Sequence, residues 1–182
     1  MKTRDLYAAT GLTVAAMLLS GTAFAASKAQ IDMGVRHALT QFQELNPKHE
    51  MLENKAAGIL VFPRVTKGGV GIAGEHGEGV LQVKGQTVGY YSVSSASVGL
   101  TLGVARHKEI IMFMTQEALD KFTNSKGWSA GADTGIAVVS KGAGGDYDTQ
   151  TLQKPILGFV FGEKGLIADA SLAGSKINKI DK

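Results

Sequence analysis

Glycine divides most of this chain into short apolar segments, and this pattern limits the folds that the chain can adopt. From Gly58 onward, glycines separate brief runs of apolar and β-branched residues. Such runs have the composition and length of β-strands. Glycines inside strands favour sharp bends and close approach of two backbone segments, so the pattern predicts a strongly curved or barrel-like sheet. The predicted strands span 59–62, 80–83, 87–92, 98–104, 110–114, 134–139, 156–161 and 166–170.

Two short connections indicate how these strands are related. Gly85-Gln86 fits a two-residue turn with glycine first, and the polar run from Arg106 to Glu109 separates two further strands. Because short turns join antiparallel neighbours, we expect an antiparallel sheet. The polar, glycine-rich segment 141–154 predicts a mobile loop.

Helices are predicted before the sheet and once within it. Between Ser27 and Leu45 the apolar residues recur at spacings of three and four, which places them on one helix face. Asn46-Pro47 ends this helix and starts a second one, with Asn46 as its cap. Thr115 can cap a short helix farther along. The chain is therefore predicted to be an α+β protein with N-terminal helices and one or two further short helices.

Residues 1–25 have the features of a cleavable secretory signal. A basic start is followed by an uncharged, largely apolar run over residues 6–19. Ala23-Phe24-Ala25 is the small-x-small pattern that signal peptidase recognises, so we expect cleavage before Ala26. The protein is then exported to the periplasm or envelope, or secreted, and residues 26–182 form a single domain.

Cysteine content and charge narrow the classes of partner. The chain has no cysteine, so we expect neither disulfides nor a lipid anchor at the mature N-terminus. Without the signal it carries 17 Lys and Arg against 15 Asp and Glu, a formal charge of +2. This even balance predicts no nucleic-acid partner, and it leaves room for a local basic patch that faces anionic lipid or phosphate.

A series of short motifs runs through the chain in a fixed order. In sequence they are Phe62-Pro63, Lys67-Gly68-Gly69, Gly77-Glu78-Gly79, Gly89-Tyr90-Tyr91, Ser97 to Gly103, Phe113-Met114-Thr115, Gly127-Trp128, Lys164-Gly165-Leu166 and Gly174-Ser175-Lys176-Ile177. This order resembles the SYLF lipid-binding family, which includes yeast actin-binding proteins, and indicates an exported bacterial member. The resemblance implies binding to phospholipid headgroups, phosphoinositides in eukaryotic members, with no catalytic chemistry. Actin binding belongs to cytosolic eukaryotic relatives.

Basic residues near these motifs are the candidate headgroup ligands at an anionic phospholipid surface. Arg64 and Lys67 are predicted on a loop after Phe62-Pro63, beside glycines whose N–H groups could help to receive a phosphate oxygen. Charge-assisted hydrogen bonds from such cations would hold an anionic headgroup. The alternative is that these side chains only keep a glycine-rich domain soluble. Further candidates near other turns are Lys55, Lys84, Arg106 and Lys108.

Two other features could contact a membrane surface. The opening helix could lie in the lipid interface, but its polar face is only weakly basic, which favours packing on the sheet. Trp128 and Tyr90-Tyr91 could be interfacial anchors, although packing in the core is the commoner role of such residues.

The sequence gives little support for catalysis. His76 stands between Glu75 and Glu78, but this spacing matches no established metal site. We therefore predict no catalytic residue, no metal and no cofactor. The alternative to a lipid-binding module is a periplasmic structural or protein-interaction domain that uses the glycine-rich sheet as its docking surface.

Overall fold

The computed structural model describes residues 26–131, 134–139, 147, 149–167 and 171–182, with backbone alone at 70–71 and 97–102. The signal predicted at 1–25 and the first part of the loop predicted at 141–154 lie outside the described residues.

Helix α1 (Lys28–Leu45) begins where the sequence predicts. The Ser27 hydroxyl accepts a hydrogen bond from the backbone N–H of Gln30, and the Gln30 side chain accepts one from the N–H of Ser27, at 3.3 and 2.9 Å. This reciprocal cap satisfies two of the N–H groups that a helix start leaves unpaired. The apolar face of α1 packs on the sheet and buries Ile31, Val35, Ala38 and Phe42.

Helix α2 (Lys48–Lys55) follows after a short break. The Asn46 side chain accepts a hydrogen bond from the N–H of Lys48 at 2.9 Å, but the N-cap position itself is held by Pro47 and not by Asn46. Pro47 precedes the first helical residue, one position away from the prediction. His49 is fully buried on α2 and stacks on Phe42, with 3.7 Å between the ring centroids.

Two very long strands, β1 (Gly58–Val83) and β2 (Gln86–Phe113), form an antiparallel hairpin along their whole length. They are joined by the turn Lys84-Gly85, in which both φ angles are positive, 51° and 74°. This is the backbone of a hairpin turn of the primed type, which twists with the strands. The predicted turn was one residue too late. The turn predicted at Arg106–Glu109 was wrong, because these residues lie inside β2.

The hairpin folds back on itself, which gives the sheet its strong curl. A Cβ at Gly77 would lie 2.8 Å from the carbonyl oxygen of Arg64, and a Cβ at Gly69 would overlap the backbone of Ile72. The two halves of β1 therefore face each other, with the reversal around residues 70 and 71. Only glycine allows backbones to approach so closely. The predicted curvature is confirmed, and the fold is an α+β half-barrel.

Five shorter strands complete the sheet, and helix α3 (Gln116–Thr123) is capped by Thr115 as predicted. The strands are β3 (Trp128–Ser129), β4 (Ile136–Val138), β5 (Ile156–Gly162), β6 (Gly165–Leu166) and β7 (Lys176–Ile180), with a 3₁₀ turn at Thr151–Gln153. β5 pairs antiparallel with β2, and β4 runs parallel to β5, so the sheet is mixed rather than purely antiparallel. β7, which was not predicted, pairs with β2 and β3.

The sheet separates two apolar clusters. One lies inside the curl, where Phe113, Phe122 and Trp128 pack edge to face or tilted. The other lies between the sheet and α1, where Phe42 contacts Phe159 and Phe161. Burial on both faces explains why the central strands read as continuous apolar runs.

Candidate functional site

The middle of the long hairpin extends beyond the rest of the sheet. The free edge of β2 pairs with β7 over Tyr90–Ser94 and with β5 over Lys108–Phe113. Between these two regions, within the described part of the chain, β2 pairs with β1 alone. We call this segment the distal ribbon and define it as Val65–Glu75 of β1 with Ser95–His107 of β2. It is a folded-over, two-stranded projection, and its outer edge has no strand partner among the described residues.

Polar contacts hold the two halves of the distal ribbon together. Lys67 Nζ lies 3.0 Å from a carboxylate oxygen of Glu75, and the Ser95 hydroxyl donates to the other oxygen at 2.6 Å. Burial raises the pKa of Glu75, but the hydrogen bond from Ser95 and the contacts of Lys67 outweigh burial and hold this pKa below its ordinary value. Lys67 thus has a structural partner and lies within the ribbon rather than on a loop.

Three of the other predicted cations lie at the base of the distal ribbon. Arg64 is exposed in a β-bulge, where Pro63 and Arg64 oppose the single residue Lys108. Arg106 is exposed two residues before Lys108 on β2, so both side chains leave the same face of the strand. The ammonium of Lys108 lies 5.9 Å from the ring centroid of Phe161. Arg64 and Arg106 form no ion pair with any described residue.

Lys55 and Lys84 lie at the opposite end of the hairpin. Lys84 is in the turn between β1 and β2, and Lys55 is in the last turn of α2. A Cβ at Gly58 would lie 3.5 Å from the carbonyl oxygen of Gln82, so the start of β1 adjoins this turn. Six residues of strand separate Gly58 from Arg64, which is roughly 20 Å. The predicted cations therefore form two separate groups and not one site.

Two large apolar side chains are exposed on the distal ribbon. Ile72 is 68% exposed and Val104 is 72% exposed. Val104 stands two residues before Arg106, so the apolar and the cationic side chain share a strand face. The sequence analysis missed both residues, because a β-branched residue in a strand pattern is read as a core position.

The interior at the base of the ribbon holds a hydrogen-bonded pair of polar side chains, His107 and Glu109. Nε2 of His107 lies 2.9 Å from one carboxylate oxygen of Glu109, which is 2% exposed. The second oxygen has no hydrogen-bond partner among the described residues. The strands of Phe62 and Val160 flank Glu109 on both sides, so the pair is sealed within the curl.

The structure places the other predicted features in structural roles. Tyr91 and Trp128 are buried in the core, and the Tyr90 hydroxyl donates to a carboxylate oxygen of Asp32 at 3.1 Å. Tyr91 and Trp128 are therefore core residues and not interfacial anchors. His76 is exposed, whereas Glu75 and Glu78 bind separate lysines.

Two further features are absent from the described residues. No three metal-ligating side chains lie close enough together to hold a metal ion. None of the helices there combines the length and apolar character that crossing a bilayer requires.

Comparison with known protein families places part of this chain in a family. Residues 94–182 match the family described as "Ysc84: Las17-binding protein actin regulator". No curated protein matches the chain. The matched region begins within β2 and includes α3 and strands β3 to β7, so it contains half of the distal ribbon and several of the motifs that predicted the SYLF family. Residues 94–182 of this chain therefore belong to the Ysc84 (SYLF) family, as the motifs predicted.

Proposed function

We propose that this chain is an exported, non-catalytic module that docks on anionic phospholipid membranes through the distal ribbon. At the coarse level, the family supports a lipid-binding or interaction module. One observation carries the finer proposal. Arg64 and Arg106 are exposed without acidic partners among the described residues, and the ribbon that rises from them carries the exposed apolar side chains Val104 and Ile72.

This combination suits a membrane surface better than a soluble phosphate. The guanidinium groups can donate paired hydrogen bonds to lipid phosphates, and each cation near an anionic surface contributes about 1 kcal/mol. An apolar side chain that leaves water for the acyl boundary contributes at most about 2 kcal/mol. A projecting two-stranded ribbon can reach the surface without unfolding the half-barrel. Lys108 lies on the same face and adds charge.

Vesicle co-sedimentation of residues 26–182 tests this proposal. Vesicles of phosphatidylcholine alone are compared with vesicles that also contain phosphatidylglycerol. We expect binding only to the anionic vesicles, and the double variant R64Q/R106Q should bind roughly thirtyfold more weakly. The matched control K55Q/K84Q removes the same charge at the other end and should bind like the parent. Equal binding to both vesicle types, or equal loss in both double variants, contradicts the proposal.

A protein-interaction role is the second candidate. It is favoured by the edge of β2 in the distal ribbon, which no strand within the described residues covers. A free edge can accept a strand from a partner protein. The family description names Las17 binding and actin regulation, which are properties of the relatives that it describes. A pull-down that is abolished by proline at Val104 and unaffected by R64Q/R106Q would support this role over lipid binding.

Export is proposed from the signal at residues 1–25. When the full chain is produced in a bacterium, the protein in the periplasmic fraction should begin at Ala26. Mass spectrometry of the intact protein measures this, and a retained residue 1–25 segment contradicts it.

A further inference from the structure

Ala26, the residue that follows the predicted cleavage point, is already bound to a shielded carboxylate. Its backbone nitrogen donates to Oε2 of Glu78 at 3.1 Å. Lys182 Nζ lies 2.9 Å from Oε1 and 3.0 Å from Oε2 of the same carboxylate, and it also donates to the Ala26 carbonyl oxygen at 2.9 Å. The Glu78 and Lys182 side chains are only 18% and 12% exposed.

Cleavage changes the charge at this position. Hydrolysis adds water across the peptide bond between Ala25 and Ala26, so that Ala25 leaves with a carboxylate and Ala26 keeps an ammonium. Before cleavage the group that faces Glu78 is a neutral amide N–H. After cleavage it is a cation at neutral pH, because the ordinary pKa of an α-amino group is about 7.7 to 8.0.

We propose that Glu78 is a docking site for the new N-terminus, and that cleavage before Ala26 forms an ion pair which the uncleaved chain cannot make. The inference rests on the proposed export. A carboxylate accepts about four hydrogen bonds, so Glu78 can bind the ammonium and Lys182 together. The contact joins the start of α1, strand β1 and Lys182, which are distant in sequence.

Two effects disfavour a positive charge at Ala26, so the effect of the free N-terminus on stability should depend on Glu78. The ammonium stands one residue before the Ser27 cap, where the dipole of α1 disfavours positive charge. It also lies close to the ammonium of Lys182, which it repels. Without Glu78, a free N-terminus should therefore weaken the fold, and with Glu78 it should strengthen the fold. The location of Glu78 thus compensates for the charge that cleavage creates.

The test compares two forms of residues 26–182 released from a cleavable fusion partner, one with a free N-terminus and one acetylated at Ala26. Acetylation keeps one N–H and removes the charge, as in the uncleaved chain. Urea unfolding at neutral pH should give an unfolding equilibrium constant roughly fivefold larger for the acetylated form. In E78Q the order should reverse, with the acetylated form the more stable.

The inference is wrong if acetylation has no effect or stabilises the protein that carries Glu78, or if its effect is the same in E78Q. The comparison at native Glu78 stands even if E78Q does not fold. Because both forms are made with a defined N-terminus, this result is independent of whether the protein is exported. An export failure would instead appear in the mass of the periplasmic protein, and a failure of lipid docking would appear only with vesicles.

Discussion

Gly79 packs directly against the main-chain carbonyl of Val61, so that a Cβ at position 79 would overlap this oxygen and the ring of Phe62. This contact closes the curl of the half-barrel, because it brings the two halves of β1 face to face. The glycine is therefore required for its missing side chain and not for an unusual backbone angle, since no positive φ occurs at this position.

Replacing Gly79 by alanine should lower the free energy of unfolding by at least about 2 kcal/mol, because backbone atoms must move to accommodate the methyl group. Gly74→Ala is the matched control in the same strand, where a Cβ would meet nothing within 4 Å. It should change stability by no more than about 0.5 kcal/mol. Urea unfolding followed by circular dichroism measures both, and equal effects of the two substitutions would show that close approach at Gly79 does not matter.

The contacts of Glu75 with Lys67 and Ser95 should make the free energy of unfolding depend on pH in the acid range. The pKa of Glu75 is held below its ordinary value of 4.5, so its contribution is present above that pH and is lost as the pH falls through the lower, folded-state pKa. Ser95→Ala should cost about 1 kcal/mol at neutral pH. The difference between parent and variant should narrow as the pH falls below 4.5. A constant difference across this range would contradict the role given to ionised Glu75.

The ion pair between Lys67 and Glu75 predicts different roles for Lys67 and Arg106, which are both candidate headgroup ligands. Lys67→Met should lower stability and leave binding to anionic vesicles nearly unchanged, because Lys67 is occupied by Glu75. Arg106→Gln should weaken binding to anionic vesicles and leave stability nearly unchanged, since Arg106 is exposed and has no acidic partner among the described residues. Urea unfolding and vesicle co-sedimentation of both variants measure these effects. Loss of vesicle binding in Lys67→Met alone would show that Lys67, and not Arg106, contacts the lipid.

The buried His49 bridges two elements, and its hydrogen bonds fix its tautomer. Nδ1 faces the carbonyl oxygen of Phe42, which can only accept, so Nδ1 carries the proton and Nε2 accepts from the Tyr147 hydroxyl. Tyr147→Phe should therefore cost about 1 to 2 kcal/mol of stability, because it removes the hydrogen bond between the Tyr147 hydroxyl and the buried Nε2. Tyr90→Phe, at a half-buried hydroxyl on Asp32, should cost less. Equal losses of stability in Tyr147→Phe and Tyr90→Phe would show that the buried contact between His49 and Tyr147 contributes no more than the half-buried one.

Local patterns predicted the helices well and the long strands poorly. Ser27 and Thr115 mark helix starts by hydrogen bonds that involve only near neighbours. The segments around Arg64 and Arg106 instead combine charge, proline and glycine, which are typical of loops, and yet they lie in continuous strands. Their glycines serve contacts with residues far along the chain, and such contacts are not visible in a local pattern.

The candidate site could be predicted only in part, for the same reason. Arg64 and Arg106 were recognised by charge, but their proximity depends on the register of β1 and β2. That register also carries Lys84 to the far end, and the fold-back of β1 places Lys67 against Glu75. Ile72 and Val104 have the composition of core residues, and only the geometry of the ribbon shows that they face solvent.

The most direct test of membrane docking uses the absence of cysteine in this chain. A single cysteine at Ile72, labelled with an environment-sensitive dye, reports on the distal ribbon, and one at Lys84 reports on the opposite end. On anionic vesicles, the emission of the dye at position 72 should shift to the blue and become sensitive to quenchers placed in the acyl chains, whereas the dye at position 84 should stay in water. Vesicle binding with no change at position 72, or with the change at position 84 instead, would contradict docking through the distal ribbon.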